Sequence, residues 1–284
     1  MVDILLIQPP LADYYHTAKR TIPYGLASIA SAVMQAGFSG AILAAMATGK
    51  SRIVDLPAEL GHLDAFHGRP DRSPFGLFHR FRYYGYSLAY IGQQIKGSGA
   101  FLIGISCLFT AYSDMALAVA RTAKASLPGC TVVVGGHHPT VLPAAVMREP
   151  SVDLVIRGEG EAALPSLAKA MQTGAPVDEI PGIVFRRSDG SLHISPPALC
   201  ADLDRLPVPA FELIRRRFYQ RAGRDSLVVT ASRGCPFRCS YCATGAGSWM
   251  KFRKRSVTSV LREIRIASNG RQVGFIDFED ENLT

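Results

Sequence analysis

Five short apolar, β-branched runs, parted by glycine-bearing loops and helix-patterned stretches, constrain this chain more than any other feature. They occupy residues 3–7, 41–45, 101–106, 131–135 and 153–157. After the first run, Pro23 opens a helix with Leu26, Ile29, Ala30, Val33 and Met34 on one face, and Gly37 stands where a helix-ending glycine belongs. Residues 86–95 read as a further helix. Ser113 and Asp114 read as the N-cap and first turn of the next, with Met115, Val119 and Ala123 following before Pro128 and Gly129. Leu164, Leu167, Ala168 and Met171 mark another helix, ended by Gly174. Continuous apolar strands alternating with helices make a parallel sheet covered on both faces. Residues 1–175 are therefore expected to form a doubly wound α/β sheet. Such sheets take ligands at the carboxyl ends of their strands, here the loops after Ile7, Ile105, Val134 and Ile156. Glycines there let a ligand approach the backbone, and the following helix N-termini favour anionic groups. This points to a nucleotide-like or phosphate-bearing cofactor.

Two runs flanking Asp189-Gly190 predict a hairpin, and residues 195–213, with Pro196, Pro197, Pro207 and Pro209, read as a linker. The expected middle segment is 176–213. Beyond it, residues 226–232 and 273–278 read as strands around a helix over 257–267. The first of these strands feeds Arg233-Gly-Cys-Pro-Phe-Arg-Cys-Ser-Tyr-Cys242, in which Cys235, Cys239 and Cys242 are spaced C-x3-C-x2-C. Half of the six cysteines fall within eight positions. Thiolates ligate iron–sulfur clusters and zinc. Three on one loop suit a [4Fe–4S] cluster with one iron left open, whereas zinc wants a fourth ligand that residues 243–250 do not offer. A structural zinc knuckle stays as the alternative. Cys107, Cys130 and Cys200 lie far apart and read as small buried hydrophobes.

Hydrophobic residues make up 48% of the 284 and charged ones 19%, which suits about two globular domains. No apolar run reaches the ~18 residues of a membrane span, and the N-terminus lacks the basic segment of a signal peptide. The expectations are no membrane partner and a cytoplasmic location, where clustered thiols bind metal rather than pair. The net charge of +8 gathers in residues 215–217 and 251–255. Without interleaved aromatics for base stacking, a solvated face or a domain contact is favoured over nucleic acid. His62, His67 and His79, five and twelve apart, share no helical face and read as surface residues.

The cysteine loop, with Tyr241 just before its last Cys, resembles the signature of the radical S-adenosylmethionine (SAM) superfamily. The order Pro23-Tyr-Gly-Leu26, Ser106-Cys-Leu108, Gly135-Gly136 and Gly158-Glu-Gly-Glu161 resembles the cobalamin-binding domains fused to such enzymes. The likeness extends from about residue 3 to residue 284. It implies a flavodoxin-like or Rossmann-type cobalamin domain followed by the start of a (β/α) radical SAM partial barrel over 214–284. It also implies three cofactors: cobalamin, a [4Fe–4S] cluster on Cys235, Cys239 and Cys242, and SAM on the open iron. Ser106, Leu108, Gly135 and Gly136 would line the slot for the nucleotide tail of cobalamin. Gly158, Glu159 and Tyr241 would be further cofactor contacts. The acidic and amide groups of Glu279-Asp-Glu-Asn282, at the end of the second barrel strand, could touch SAM, cap, or face solvent.

The implied activity is methyl transfer from methylcobalamin to an unactivated carbon or phosphorus of a small molecule, after formation of a 5′-deoxyadenosyl radical. An external electron donor would be needed. Ring closure or oxidation without methyl transfer, or cobalamin binding without catalysis, are the alternatives. A tRNA methylthiotransferase would need a second three-cysteine set. Many cobalamin domains use D-x-H-x-x-G to place a histidine below cobalt. Here only Asp64-Ala-Phe-His67-Gly68 approaches it, with the wrong spacing, and His137 or His138 would have to substitute. A barrel unit takes about 30 residues, so residues 226–284 would supply two. This gives the expectation of a piece of a longer protein, inactive by itself, or of a second chain completing the barrel.

Overall fold

The computed structural model describes residues 1–14, 21–63, 65–66, 80–242 and 250–283. Its centre is a seven-stranded sheet. Five strands are parallel: β1 (Ile4–Gln8), β3 (Gly40–Ala44), β6 (Leu102–Ser106), β7 (Thr131–Gly135) and β8 (Leu154–Ile156). Their order is β3-β1-β6-β7-β8, the flavodoxin-like arrangement, and the chain reverses direction across the sheet between β1 and β6. The runs read from sequence are these five strands, displaced by no more than a residue or two. Ile4, Ile7, Leu102, Ile103, Val132 and Val134 are fully buried, as strands covered on both faces require.

One face is covered by α2 (Leu88–Ser98) and α3 (Ser113–Ser126), the other by α1 (Tyr24–Gln35) and α6 (Gly160–Thr173). The helix over 86–95 begins later than expected because Ser87 caps it, its side chain accepting from Tyr90 N. The cap expected at Ser113 is not one. Ser113 is already helical, and its Oγ donates to Thr110 O in the preceding turn, so Tyr112 occupies the cap position.

The hairpin around Asp189-Gly190 is present as β9 (Ile183–Arg186) and β10 (Leu192–Ile194). It continues the sheet, β9 pairing antiparallel with β8. The following segment is held tightly. Ala198 bridges Gly158, Ser31 Oγ donates to Val208 O at 2.7 Å, and Ala210 N donates to Ala27 O at 3.0 Å. Ala210 and Phe211 are buried.

The last part carries β11 (Asp225–Val229) parallel to β14 (Val273–Phe278), with α7 (Val257–Ser268) between them in sequence. This is the strand–helix–strand unit of a (β/α) barrel. Ser256 caps α7, accepting from Ser259 N at 3.1 Å. A third core joins this unit to the outer face of α1 through Ala27, Phe211, Ile214, Tyr219, Leu227 and Ala267. A short antiparallel sheet of β2 (Leu11–Asp13), β4 (Ser51–Ile53) and β5 (Arg82–Tyr84) follows the ends of β1 and β3. Among the described residues no helix is long and apolar enough to cross a membrane. His62 is exposed; His67 and His79 lie outside the described residues.

Candidate cofactor site at the carboxyl edge of the sheet

The four loops, of which those after β7 and β8 carry glycines, do gather at one edge of the sheet, because parallel strands all deliver their ends there. Two of them interlock. Gly136 has φ +124°, and a Cβ on it would sit 2.4 Å from Cys107 O, so the β7 loop rests directly on the β6 loop. Cys107 N donates to Gly135 O at 2.7 Å across the same contact. Gly135 has ordinary φ and more room, its nearest neighbour being Ile156 O at 3.7 Å from an added Cβ. Ser106 ends β6 half-buried, while Leu108 and Phe109 beyond it are 51% and 63% exposed. Val141 and Leu142, in the short helical turns after β7, are exposed as well. The edge thus presents open backbone at Gly135 beside exposed apolar side chains, a surface on which a large, partly apolar cofactor can lie.

Thr140, which pattern reading passed over, ties this edge together. It is buried, its Oγ1 donates to Gly136 O at 2.7 Å and accepts from Gly158 N at 2.8 Å. Gly158 has φ +83°, and what crowds it is the chain itself, Ala198 O standing 2.2 Å from an added Cβ. That glycine admits the close approach of the 198 backbone. The two histidines of the β7 loop also have partners. His138 is buried with Nδ1 3.0 Å from Thr110 Oγ1, and burial pushes its pKa down against the opposing charge of Asp114. His137 Nε2 lies 4.0 Å from Glu281 Oε1, beyond β14.

Glu159 is engaged by the chain itself. It is 6% exposed, and both carboxylate oxygens are taken. Oε1 is 2.6 Å from Arg253 Nη2 and 3.5 Å from Arg233 Nη1. Oε2 is 2.9 Å from Arg253 Nη1 and accepts from Cys200 N at 2.5 Å. Glu161, also buried, binds Arg233 Nη2 at 2.5 Å. Burial pushes Glu159 up, but the hydrogen bond from Arg253, the charge of Arg233 and the Cys200 amide outweigh it and hold the carboxyl below the usual glutamate range. In the basic run over 251–255, Arg253 is a contact to the sheet, Arg255 pairs with Glu263 in α7, and Lys251 and Lys254 are exposed.

Arg233 lies two residues before Cys235, so this edge and the cysteine loop are joined side by side. The loop leaves β11 through Ser232–Arg233, which pairs antiparallel with Arg253–Lys254. Gly234, at φ +79°, packs on the Lys251 backbone. Asp280 accepts from Ala231 N at 3.0 Å and from Ser232 Oγ at 2.5 Å. Its role in this fold is to pin the loop's first residues. Cys235 and Cys242 are half-exposed, Cys239 is exposed, and none is in a disulfide. Cys242 N donates to Cys239 O at 3.0 Å, closing a turn, and Tyr241 is 90% exposed beside it. Three free thiols on an accessible, stem-anchored loop suit a cluster as ligands. Among the described residues no three His, Cys, Asp or Glu side chains already converge on a metal-sized point. Cys107 and Cys130 are buried, with burial pushing the Cys107 thiol up to about 12, so they are packing residues. Cys200 is half-buried, its thiol also raised to about 12 by burial and by Glu161 and Glu159.

A family model described as the B12 binding domain matches residues 78–168. An uncharacterized methyltransferase of Pyrococcus horikoshii is 32% identical over 195 residues, 68% of this chain and 42% of that protein. The cytidylyl-2-hydroxyethylphosphonate methyltransferase of Streptomyces wedmorensis is 25% identical, covering 99% of this chain and 55% of its own. The chain spans about half the length of these two relatives. Among solved structures, the cobalamin-dependent SAM radical enzyme OxsB with aqua-cobalamin bound superposes with a TM-score of 0.70 at 18% identity, over 98% of this chain and 34% of that one.

Proposed function

We propose that this chain is a cobalamin-binding-domain radical SAM protein, that it holds cobalamin at the carboxyl edge of its seven-stranded sheet and a [4Fe–4S] cluster with SAM on its cysteine loop, and that it serves methyl transfer to an unactivated carbon or phosphorus of a small molecule. The observation that carries this reading is the join at Glu159. The β8 loop of the matched B12 domain binds, through one carboxylate, the arginines on either side of the three-cysteine loop. When bound, the cluster supplies the electron that cleaves SAM, and cobalamin carries the methyl group.

The chain's own residues supply placement. Cys235, Cys239 and Cys242 offer the three thiolates, and the turn closed by Cys242 N lets them fold around a cluster while leaving one iron for SAM. Gly135, too small to fend off a ligand, and the exposed Leu108 form the bed for the corrinoid's tail. Tyr241, exposed beside Cys242, would be a further contact to the bound cofactor. His138 is engaged by Thr110 Oγ1, and shape and apolar contact would hold the corrinoid.

The test is anaerobic reconstitution with iron, sulfide and hydroxocobalamin, followed by reduction and addition of methyl-labelled SAM. Wild type should carry about four irons, take up cobalamin and move label onto it. Replacing Cys235, Cys239 and Cys242 by Ala should remove iron and sulfide but leave cobalamin uptake intact. Iron and sulfide retained by the triple variant, or no cobalamin uptake by wild type, overturns the reading.

A further inference from the structure

The cysteine loop is clamped at both stems, and the clamps meet on one side chain. Leaving β11, Arg233 reaches Glu161 at 2.5 Å and Glu159 at 3.5 Å. Returning to α7, Arg253 forks onto both oxygens of Glu159 at 2.6 and 2.9 Å and donates to Cys200 O at 2.5 Å. Two residues on, Arg255 reaches Glu263 at 2.7 Å and Thr230 O at 2.9 Å. Glu159 belongs to the loop after β8, on the carboxyl edge that bears the corrinoid slot. Two carboxylates and two guanidiniums balance in charge, and all four are buried or nearly so. Such a forked, desolvated arrangement fixes angle as well as distance. The tip, with Cys239 and Tyr241, stays exposed. Both carboxylates are taken up by these arginines, and Glu159 also by the Cys200 amide.

We infer that Glu159, Glu161, Arg233 and Arg253 are positioning residues that set the distance and orientation of the cluster loop against the cobalamin slot. This rests on the function proposed above. A methyl group carried on one cofactor and a radical made at the other can act on one substrate atom only if the two are held in a fixed relation. Buried ion pairs contribute little net stability against apolar replacements, and their best-attested use is registry of this kind.

The experiment measures the relation directly. The full chain is loaded with cob(II)alamin and cluster and reduced, and pulsed electron paramagnetic resonance reads the distance distribution between the two spins. Wild type should give one narrow distribution. Glu159→Gln removes the shared carboxylate, and Arg253→Lys keeps the charge but loses the fork. Both should keep their cobalamin absorbance and iron content while the distribution broadens, more in Glu159→Gln. A wild-type distribution in both variants overturns the inference and leaves the proposed function standing. Loss of a cofactor from both variants assigns the four residues to folding and overturns it too. Failure of wild type to bind cobalamin overturns the function and the inference together.

Discussion

Gly135 and Gly136 are neighbours with opposite tolerances. Gly136 sits at φ +124° with Cys107 O in the way of any Cβ. Gly136→Ala should destabilise the chain by about 1–3 kcal/mol through backbone strain and the parting of the β6 and β7 loops, seen as a lower urea midpoint. Gly135→Ala meets nothing nearer than 3.7 Å. It should leave the midpoint within about 0.5 kcal/mol while weakening cobalamin uptake in a titration, because the added methyl stands where the ligand approaches. Equal cobalamin affinity in Gly135→Ala would remove that glycine from the slot.

Glu159 makes a pH prediction of definite sign. Its carboxyl is held below the ordinary glutamate value of 4.5, so its ion pairs stabilise the fold fully above that value and are lost as pH falls through the lower, folded one. Glu263 is the reverse. Burial raises it against Arg255 and Tyr24, so its contribution is present at low pH and declines as pH rises through its folded value. At neutral pH Glu159→Gln strands Arg253, leaves Arg233 with Glu161 alone, and should cost on the order of 3–5 kcal/mol. The gap between wild type and Glu159→Gln should stay constant down to about pH 5 and close in more acid solution, measured as unfolding midpoints across pH. A gap that widens on acidification would refute the assignment. Little of this was legible in the sequence. A Gly-Glu-Gly-Glu stretch after a strand marks a carboxyl edge, but which way each Glu turns depends on Arg233 and Arg253, some 70 and 90 residues later. Thr140 was missed for the same reason, since its partners are backbone groups of two separate loops.

At the scale of elements the chain is easier to read. Ile4, Leu102 and Val132 lie in runs too apolar for any place but a covered sheet, and Gly37 and Gly174 end helices with positive φ. What patterning could not reveal is that α1 has two buried faces. Leu26, Ala30 and Val33 pack on the sheet, while Ala27 packs on Phe211 and Leu227, with Tyr24 OH donating to Glu263 at 3.1 Å. Small and polar residues on a helix read as solvent-facing until the partner is known. Ala27 is fully buried, so Ala27→Leu should overpack this second interface at a cost of about 1–3 kcal/mol. A change at Met34, 42% exposed on the same helix, should stay within about 0.5 kcal/mol. Thermal unfolding of the two variants decides between a two-faced and a one-faced α1.

At the scale of the molecule, the question is where the first folding unit ends. The strand count places a complete sheet in residues 1–175, yet the structure extends it. Ile183 and Val184 are fully buried, β9 closes the edge of β8, Arg157 Nη1 donates to Ser195 O at 2.9 Å, and Ala198 bridges Gly158. Cutting at 175 would bare the β8 edge and leave half-buried Arg157 without that carbonyl, a change that favours edge pairing and aggregation. A piece ending at 200 keeps all of these contacts. It should unfold cooperatively in urea and take up cobalamin, whereas residues 1–175 should unfold at lower urea or aggregate. Equal midpoints would show that the hairpin only decorates the sheet. The longer piece also isolates the interface. Without Arg233 and Arg253, Glu159 and Glu161 lose their counter-charges, and the Ala27 face of α1 is uncovered. Residues 1–200 should therefore be less stable than the whole chain at neutral pH, and the acid-side loss traced to Glu159 should disappear from their pH profile. If that loss persists in the piece, its source lies within the sheet, and the join between the two units is not what holds Glu159 ionised.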